Sequence, residues 1–194
     1  YQGVSEPSAS LQSQDKSYLR DLHVAYLNLS GNLVIMKIKS RHHLKGSESK
    51  RILKMIEPFL EDPNALRGLS LEVAEADHDF NLILLEGRPV FMMVEDRPFF
   101  TVRGALEFAP KKNMVIVDSG AVSFIVNGAD VMAPGIVEAD PGIVPGDPVV
   151  IVEERHKKPL AVGVAILPGH EMRGSGKAVR SVHHVGDDLW EMSG

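Results

Sequence analysis

Apolar and polar residues alternate from His23 to Lys39, once in His23-Val24-Ala25-Tyr26-Leu27-Asn28-Leu29 and again in Leu33-Val34-Ile35-Met36-Lys37-Ile38-Lys39. A period of two puts successive side chains on opposite faces of a strand, and Ser30-Gly31-Asn32 separates the two runs, so the segment predicts a hairpin. The period lengthens between Ser47 and Glu61. Ile52, Leu53, Ile56, Phe59 and Leu60 recur at spacings of three and four opposite Lys50, Arg51 and Lys54, which predicts a helix capped by Ser47 and closed by Pro58, Pro63 and Asn64. Leu69–Ala74 reads as a short strand. Asn81–Leu85 and Val90–Val94 flank Glu86-Gly87-Arg88-Pro89, a turn by composition. Thr101–Phe108 reads as a short helix ended by Pro110.

Beyond Lys112 the pattern becomes short apolar runs at regular intervals: Met114–Val117, Ile136–Glu138, Val149–Glu153, Ala161–Leu167 and Ala178–His183. Asn127-Gly128, Pro134-Gly135, Pro141-Gly142, Pro145-Gly146 and Pro168-Gly169 punctuate them. Short strands with turn chemistry about every ten residues predict a sandwich or small barrel. Val122–Val126 differs, because it follows the helix-start sequence Asp118-Ser119-Gly120 and reads as a short helix.

Composition narrows the chemistry. The 194 residues suit one domain or two small ones, and 44% hydrophobic with 24% charged residues is an ordinary globular balance. The absence of cysteine excludes disulfides, zinc ribbons and thiolate catalysis. The longest apolar stretches, such as Leu82–Leu85 and Val149–Val152, are strand-sized and too short to cross a membrane. Tyr1–Asp15 is polar, rich in Ser and Gln, and lacks the features of a secretion signal; it predicts disorder, and a cytoplasmic location fits.

A formal charge of −5 argues against a generic nucleic-acid binder, but the charge is polarised. Met36–Leu60 holds Lys37, Lys39, Arg41, Lys45, Lys50, Arg51 and Lys54 against Glu48 and Glu57, a balance of +5. Glu61–Glu86 holds seven acids against Arg67, a balance of −6. Such a chain can present a positive face to phosphates, or the basic helix can simply have a solvated side.

The run Val117-Asp118-Ser119-Gly120-Ala121-Val122-Ser123-Phe124-Ile125-Val126-Asn127-Gly128-Ala129-Asp130-Val131-Met132-Ala133-Pro134-Gly135-Ile136 resembles the signature of PUA domains, named after pseudouridine synthases and archaeosine transglycosylases. Val144–Val150, Lys158–Ala165 and Gly176–Val179 are similar to the family's later strands, in order. His183-His184-Val185-Gly186-Asp187-Asp188-Leu189-Trp190-Glu191-Met192 resembles the tail of one group. That group comprises archaeal pre-PUA proteins and the eukaryotic malignant-T-cell-amplified translation factor. Ser40-Arg41-His42-His43-Leu44 and the basic helix resemble the archaeal pre-PUA domain.

The resemblance implies an α+β chain: a small α/β pre-PUA domain over 36–94, then a PUA β-pseudo-barrel over 96–194. Residues 1–35 fall outside it, as a partly disordered extension or an addition before a true start at Met36. The resemblance also implies an RNA cleft formed by the signature loop, its helix and the last strand. The implied partner is structured RNA, either tRNA or small-subunit rRNA, in a translation-linked role that can extend to the ribosome or a translation-factor partner.

Residue chemistry supplies its own reading of that run. Gly120, Gly128 and Gly135 can supply positive φ and close backbone approach, or only tight barrel corners. A helix starting near Gly120 offers amide groups and a positive dipole end to a phosphate. Ala121, Ala129 and Ala133 leave room for a flat base beside Val122, Asn127, Asp130 and Pro134. Met132 can pack on a base or into the barrel. Lys177 can neutralise a phosphate from the last strand or be a solvated lysine. Arg41, Lys45, Lys50, Arg51 and Lys54 are candidates for RNA backbone contact.

His183 and His184 fall on opposite faces of a strand, so they do not pair on a metal, and one is expected beneath Trp190. Trp190 reads as the plug of the tail. Asp187-Asp188 reads as a turn or helix cap, and Asp77-His78-Asp79 as a solvated turn.

No catalytic motif is present. Gly174-Ser175-Gly176-Lys177 suggests a phosphate loop, but Glu171 stands where glycine is needed and Ala178 replaces Ser or Thr. A binder without cofactor or metal is expected, not an enzyme. Two other classes remain: a protein-interaction adaptor using the barrel as a scaffold, and an RNA-modification enzyme or accessory.

Overall fold

A computed structural model describes residues 22–27, 33–76 and 81–192. Six strands follow one another as an antiparallel sheet: β1 (Leu22–Leu27), β2 (Leu33–His43), β3 (Leu71–Ala76), β4 (Asn81–Leu85), β5 (Arg88–Val94) and β6 (Arg97–Phe100). Leu22 opposes Ile38 and Leu27 opposes Leu33, the hairpin the alternation predicts. The Ser30-Gly31-Asn32 turn, Tyr1–Asp15 and Asp77-His78-Asp79 lie outside the described residues. Strands on both sides of Met36 and of Val94 share this one sheet.

Helix α1 (Gly46–Ile56) connects β2 to β3. Its N-cap is Lys45, not Ser47. Glu48, on the third helical position, accepts from the Lys45 amide at 3.4 Å and fixes the start two residues earlier than expected. The helix also stops before Glu61. Pro58 has no amide to donate, so Glu57–Phe59 tightens into a 3-10 turn. Strand β3 begins at Leu71, after a turn in which Gly68 takes φ 74°.

The β4–β5 turn places Glu86 and Gly87 at φ 51° and 82°, the mirror-image geometry that matches the twist of a hairpin. Strand β6 was not foreseen. Its turn uses Glu95 and Asp96 at φ 48° and 59°; Asp tolerates that region, but Glu rarely does and no glycine marks the turn. Pro98 is tolerated because β6 is the outer strand of its sheet. Helix α2 (Val102–Phe108) follows with Thr101 as its cap, and ends with Ala109 in the left-handed region before Pro110.

The second sheet holds β7 (Met114–Val117), β8 (Val131–Met132), β9 (Ile136–Ala139), β10 (Pro148–Glu153), β11 (Pro159–Ala165) and β12 (Lys177–His184), in the order β8-β12-β11-β10-β7-β9. Every pairing is antiparallel except β7 with β10. Helix α3 (Ser119–Ile125) links β7 to β8, and α4 (Asp188–Met192) ends the described chain.

Two apolar cores result. Val115, Ile125, Val149, Ile151 and Val179 fill the inside of the curled second sheet. A larger core joins Leu82, Phe91, Phe99 and Phe100 of the first sheet to Val150, Val152, Val162 and Val164 of the second. Strand β10 is thus buried on both faces, which explains the unbroken run Val149-Val150-Ile151-Val152. Phe59, Phe99 and Phe100 meet edge to face at 5.1–6.4 Å within the shared core. Arg97 adds a polar tie between the halves, reaching Asp147 at 3.0 Å.

Candidate nucleic-acid interface

Helix α3 begins where Asp118, in extended conformation, turns its carboxylate back to accept from the Ala121 amide at 2.9 Å. Val122 and Ile125 face the barrel core. Phe124 stands on the opposite side and is 67% exposed. Asp118, Gly120, Ala121, Phe124, Met132 and Gly135 bound a cleft of about 420 Å³ beside the helix.

The structure brings the signature residues together, though not always for the expected reason. Only Gly128 of the three signature glycines has positive φ, at 84°. A Cβ there would also lie 2.9 Å from His184 Nε2. Gly135 has ordinary backbone geometry and serves close approach, since a Cβ would come within 3.0 Å of the Ala121 methyl. Gly120 sits in the first helical turn, facing only the Asp118 side chain. The helix start is less open to anions than expected, because Asp118 already supplies a carboxylate to it. Asn127, though exposed, donates back along the helix to the Ser123 carbonyl at 2.6 Å, and the Ala129 amide closes the loop on the Phe124 carbonyl. Met132 is 49% exposed and so points away from the barrel; Pro134 forms the turn that follows.

Lys177 stands opposite Met132 across β8–β12, at the cleft mouth. It is not a free cation, because its ammonium lies 2.6 Å from Asp130. The bond from Lys177, and then the Ser181 amide, hold the Asp130 carboxyl below the usual aspartate range. The cleft therefore has apolar walls and a neutral ion pair at its edge. Phe124, which spacing alone did not single out, is its aromatic face. The available signal was an aromatic residue on the helix side that faces away from Val122 and Ile125.

The basic candidates divide. Arg41 is held bidentate by Glu72 across β2–β3, so its charge is cancelled within the sheet. The same bond keeps Glu72 ionised below its ordinary range. Lys50 and Lys54 line a second groove, of about 680 Å³, between α1 and residues 64–70. Arg67 joins them there; it was missed because it stands alone in an acidic stretch of sequence. Lys45 caps the helix and Arg51 is exposed on it. None of these five cations forms an ion pair among the described residues.

The tail locks β12 behind the cleft. His183 is 1% exposed, and its Nδ1 lies 2.7 Å from the Asp187 carboxylate. Asp187 also accepts from the amides of His184 and Trp190, both within 2.9 Å, and so caps α4. Burial pushes the Asp187 carboxyl up, but the His183 contact and the two amides outweigh it and hold the group below its ordinary range. The Arg103 guanidinium lies over the Trp190 ring, at 4.2 Å. Trp190 does fasten the tail, to the core shared by the two sheets. No cluster of three or more metal-ligating side chains occurs among the described residues, and no helix there is long and apolar enough to cross a membrane.

Comparison with known proteins places this geometry. A family model described as the PUA domain matches residues 113–186. An uncharacterised protein of Methanocaldococcus jannaschii is 41% identical over 163 residues, covering 82% of this chain and all of that one. Translation machinery-associated protein 20 of Saccharomyces cerevisiae is 28% identical over 170 residues, covering 80% and 94%. The malignant T-cell-amplified sequence 1 homolog of Drosophila melanogaster is 31% identical over 170 residues, covering 79% and 92%. Among solved structures, a hypothetical protein from Pyrococcus horikoshii superposes with a TM-score of 0.72 at 36% identity, over 80% of this chain and all of the other.

Proposed function

We propose, from the premise that this chain belongs to the PUA-domain proteins, in the branch that includes the archaeal relatives and the eukaryotic translation-associated ones, that it binds structured RNA without carrying out a chemical step. The RNA is tRNA or a small-subunit rRNA element, and the role belongs to translation. The observation that carries this reading is the exposed Phe124 ring beside the narrow wall of Ala121 and Gly135. That arrangement suits an unpaired base, which can stack on an aromatic face while small residues admit its edge. The cations of α1, unpaired among the described residues, form with Arg67 a separate phosphate-facing surface.

The two surfaces predict different responses. Titrating fluorescent tRNA and an rRNA hairpin at two salt concentrations gives salt-sensitive binding to one of them. Phe124→Ala weakens that binding about tenfold or more at either salt, since one base stack is worth about 1–3 kcal/mol. Lys50→Glu with Lys54→Glu instead flattens the salt dependence, because each lost phosphate contact lowers the logarithmic slope by about one. The reading fails if neither RNA binds at low salt.

A further inference from the structure

Between α2 and the outer face of the barrel sheet runs a groove of about 630 Å³ that shares no lining residue with the cleft. Its floor is a cross-strand row in which Val152 of β10 lies beside Ile116 of β7. Leu106 of α2 overhangs the floor and is 46% exposed. Lys157 and Lys158 stand at the rim and form no ion pair among the described residues, and Lys111 has only a distant contact with Glu61, at 3.8 Å. On the opposite rim Asp140 is already engaged by the amides of Asn113 and Gly142, at 3.0 and 2.9 Å. Strand β9 borders the groove and is the outermost of its sheet, pairing with β7 alone among the described strands.

We propose that this groove docks a short segment of a partner protein in which a bulky apolar side chain is flanked by carboxylates. The apolar side chain covers Leu106 and the half-buried Ile116, above the buried Val152, and the carboxylates meet Lys157 and Lys158 at the rim. The outer edge of β9 offers main-chain hydrogen bonds to an extended segment. RNA fits less well. No aromatic side chain lines the groove for a base to stack on. The proposal is independent of the RNA reading.

The test is selection of a random phage-displayed peptide library on the full chain, with counter-selection on Leu106→Glu. Enrichment of peptides that combine an apolar anchor with Asp or Glu is expected. Fluorescence polarisation of an enriched peptide is then expected to weaken about tenfold with Lys157→Glu plus Lys158→Glu, the loss of a charge-assisted contact. Weakening is expected equally when the peptide's acids are replaced by lysine. Thermal melts show that the variants are folded. The proposal is overturned if no sequence class enriches over the support, if enriched peptides bind the variants as tightly as the parent, or if tRNA displaces the peptide from Phe124→Ala protein.

Discussion

Gly104→Ala is expected to leave little stably folded protein, although it adds one methyl group. The reason begins in the β4–β5 hairpin, where Leu84 opposes Pro89 while Ile83 opposes Phe91. Val90 is the extra residue of that bulge, and its carbonyl is released from the ladder. The Thr101 amide binds that carbonyl at 3.0 Å. The Thr101 hydroxyl donates to the neighbouring Pro89 carbonyl at 2.8 Å and accepts from the Gly104 amide at 2.9 Å. Helix α2 is drawn so close to β5 that a Cβ on residue 104 would lie 1.8 Å from the Val90 oxygen. Two backbones held by these three hydrogen bonds cannot separate without breaking them. The expected loss is on the order of 4 kcal/mol or more, a drop in melting temperature of roughly 10 °C for a chain of this size. Gly46→Ala is the control, since nothing lies within 4 Å of its added methyl. If Gly104→Ala melts alongside that control, the strand–helix contact has been misread.

Asp187→Ala is expected to release the tail. One carboxylate holds the buried His183 ring, the His184 amide and the amide that starts α4, so its removal strands several donors at once. The expected loss is about 3 kcal/mol. Because folding depresses the Asp187 pKa, its stabilisation is complete above the ordinary aspartate value of about 3.9 and fades as pH falls through the lowered one. Trp190, the single tryptophan, reports the change directly. Wild-type emission should hold constant across neutral pH and shift to the red in acid, as the ring leaves Arg103. Asp187→Ala should show the red-shifted spectrum at neutral pH with little further acid response. A tail that stays docked in the variant would mean that apolar packing of Leu189 and Trp190 suffices without the cap.

Much of this architecture was legible from local signals. The barrel strands announced themselves because Pro-Gly and Asn-Gly turns bracket short apolar runs, and α2 because Thr101 precedes it. Strand β6 was hidden because its turn runs through Glu95 and Asp96 at positive φ without the glycine that usually marks such a turn. The α1 start was misplaced because the deciding contact is Glu48 reaching back to Lys45, not the most favourable capping residue nearby. At the site, residue types were easier to read than their partners. Lys177 and Arg41 look like free cations along the chain, yet Asp130 and Glu72 approach them only once strands pair across 47 and 31 positions. Arg67 shows the converse, since the charged residues flanking it in sequence are Asp62 and Glu72 while it lines one groove with Lys50 and Lys54.

Strand β10 works as a party wall. Val149 and Ile151 belong to one room and Val150 and Val152 to the other, so neither half can be removed without exposing a finished interior face. The segment that the family model delimits, 113–186, would keep its own core yet display Val150, Val152, Val162 and Val164 to water. Expressed alone, that piece would be adhesive rather than merely less stable. The wall also removes any swivel between the halves. Phe124 and the cations of α1 are carried on one stiff body, which gives the molecule the character of a gauge. A macromolecule that touches both meets them at a single fixed spacing, and one whose contact points are spaced otherwise must bend to fit or engage only one.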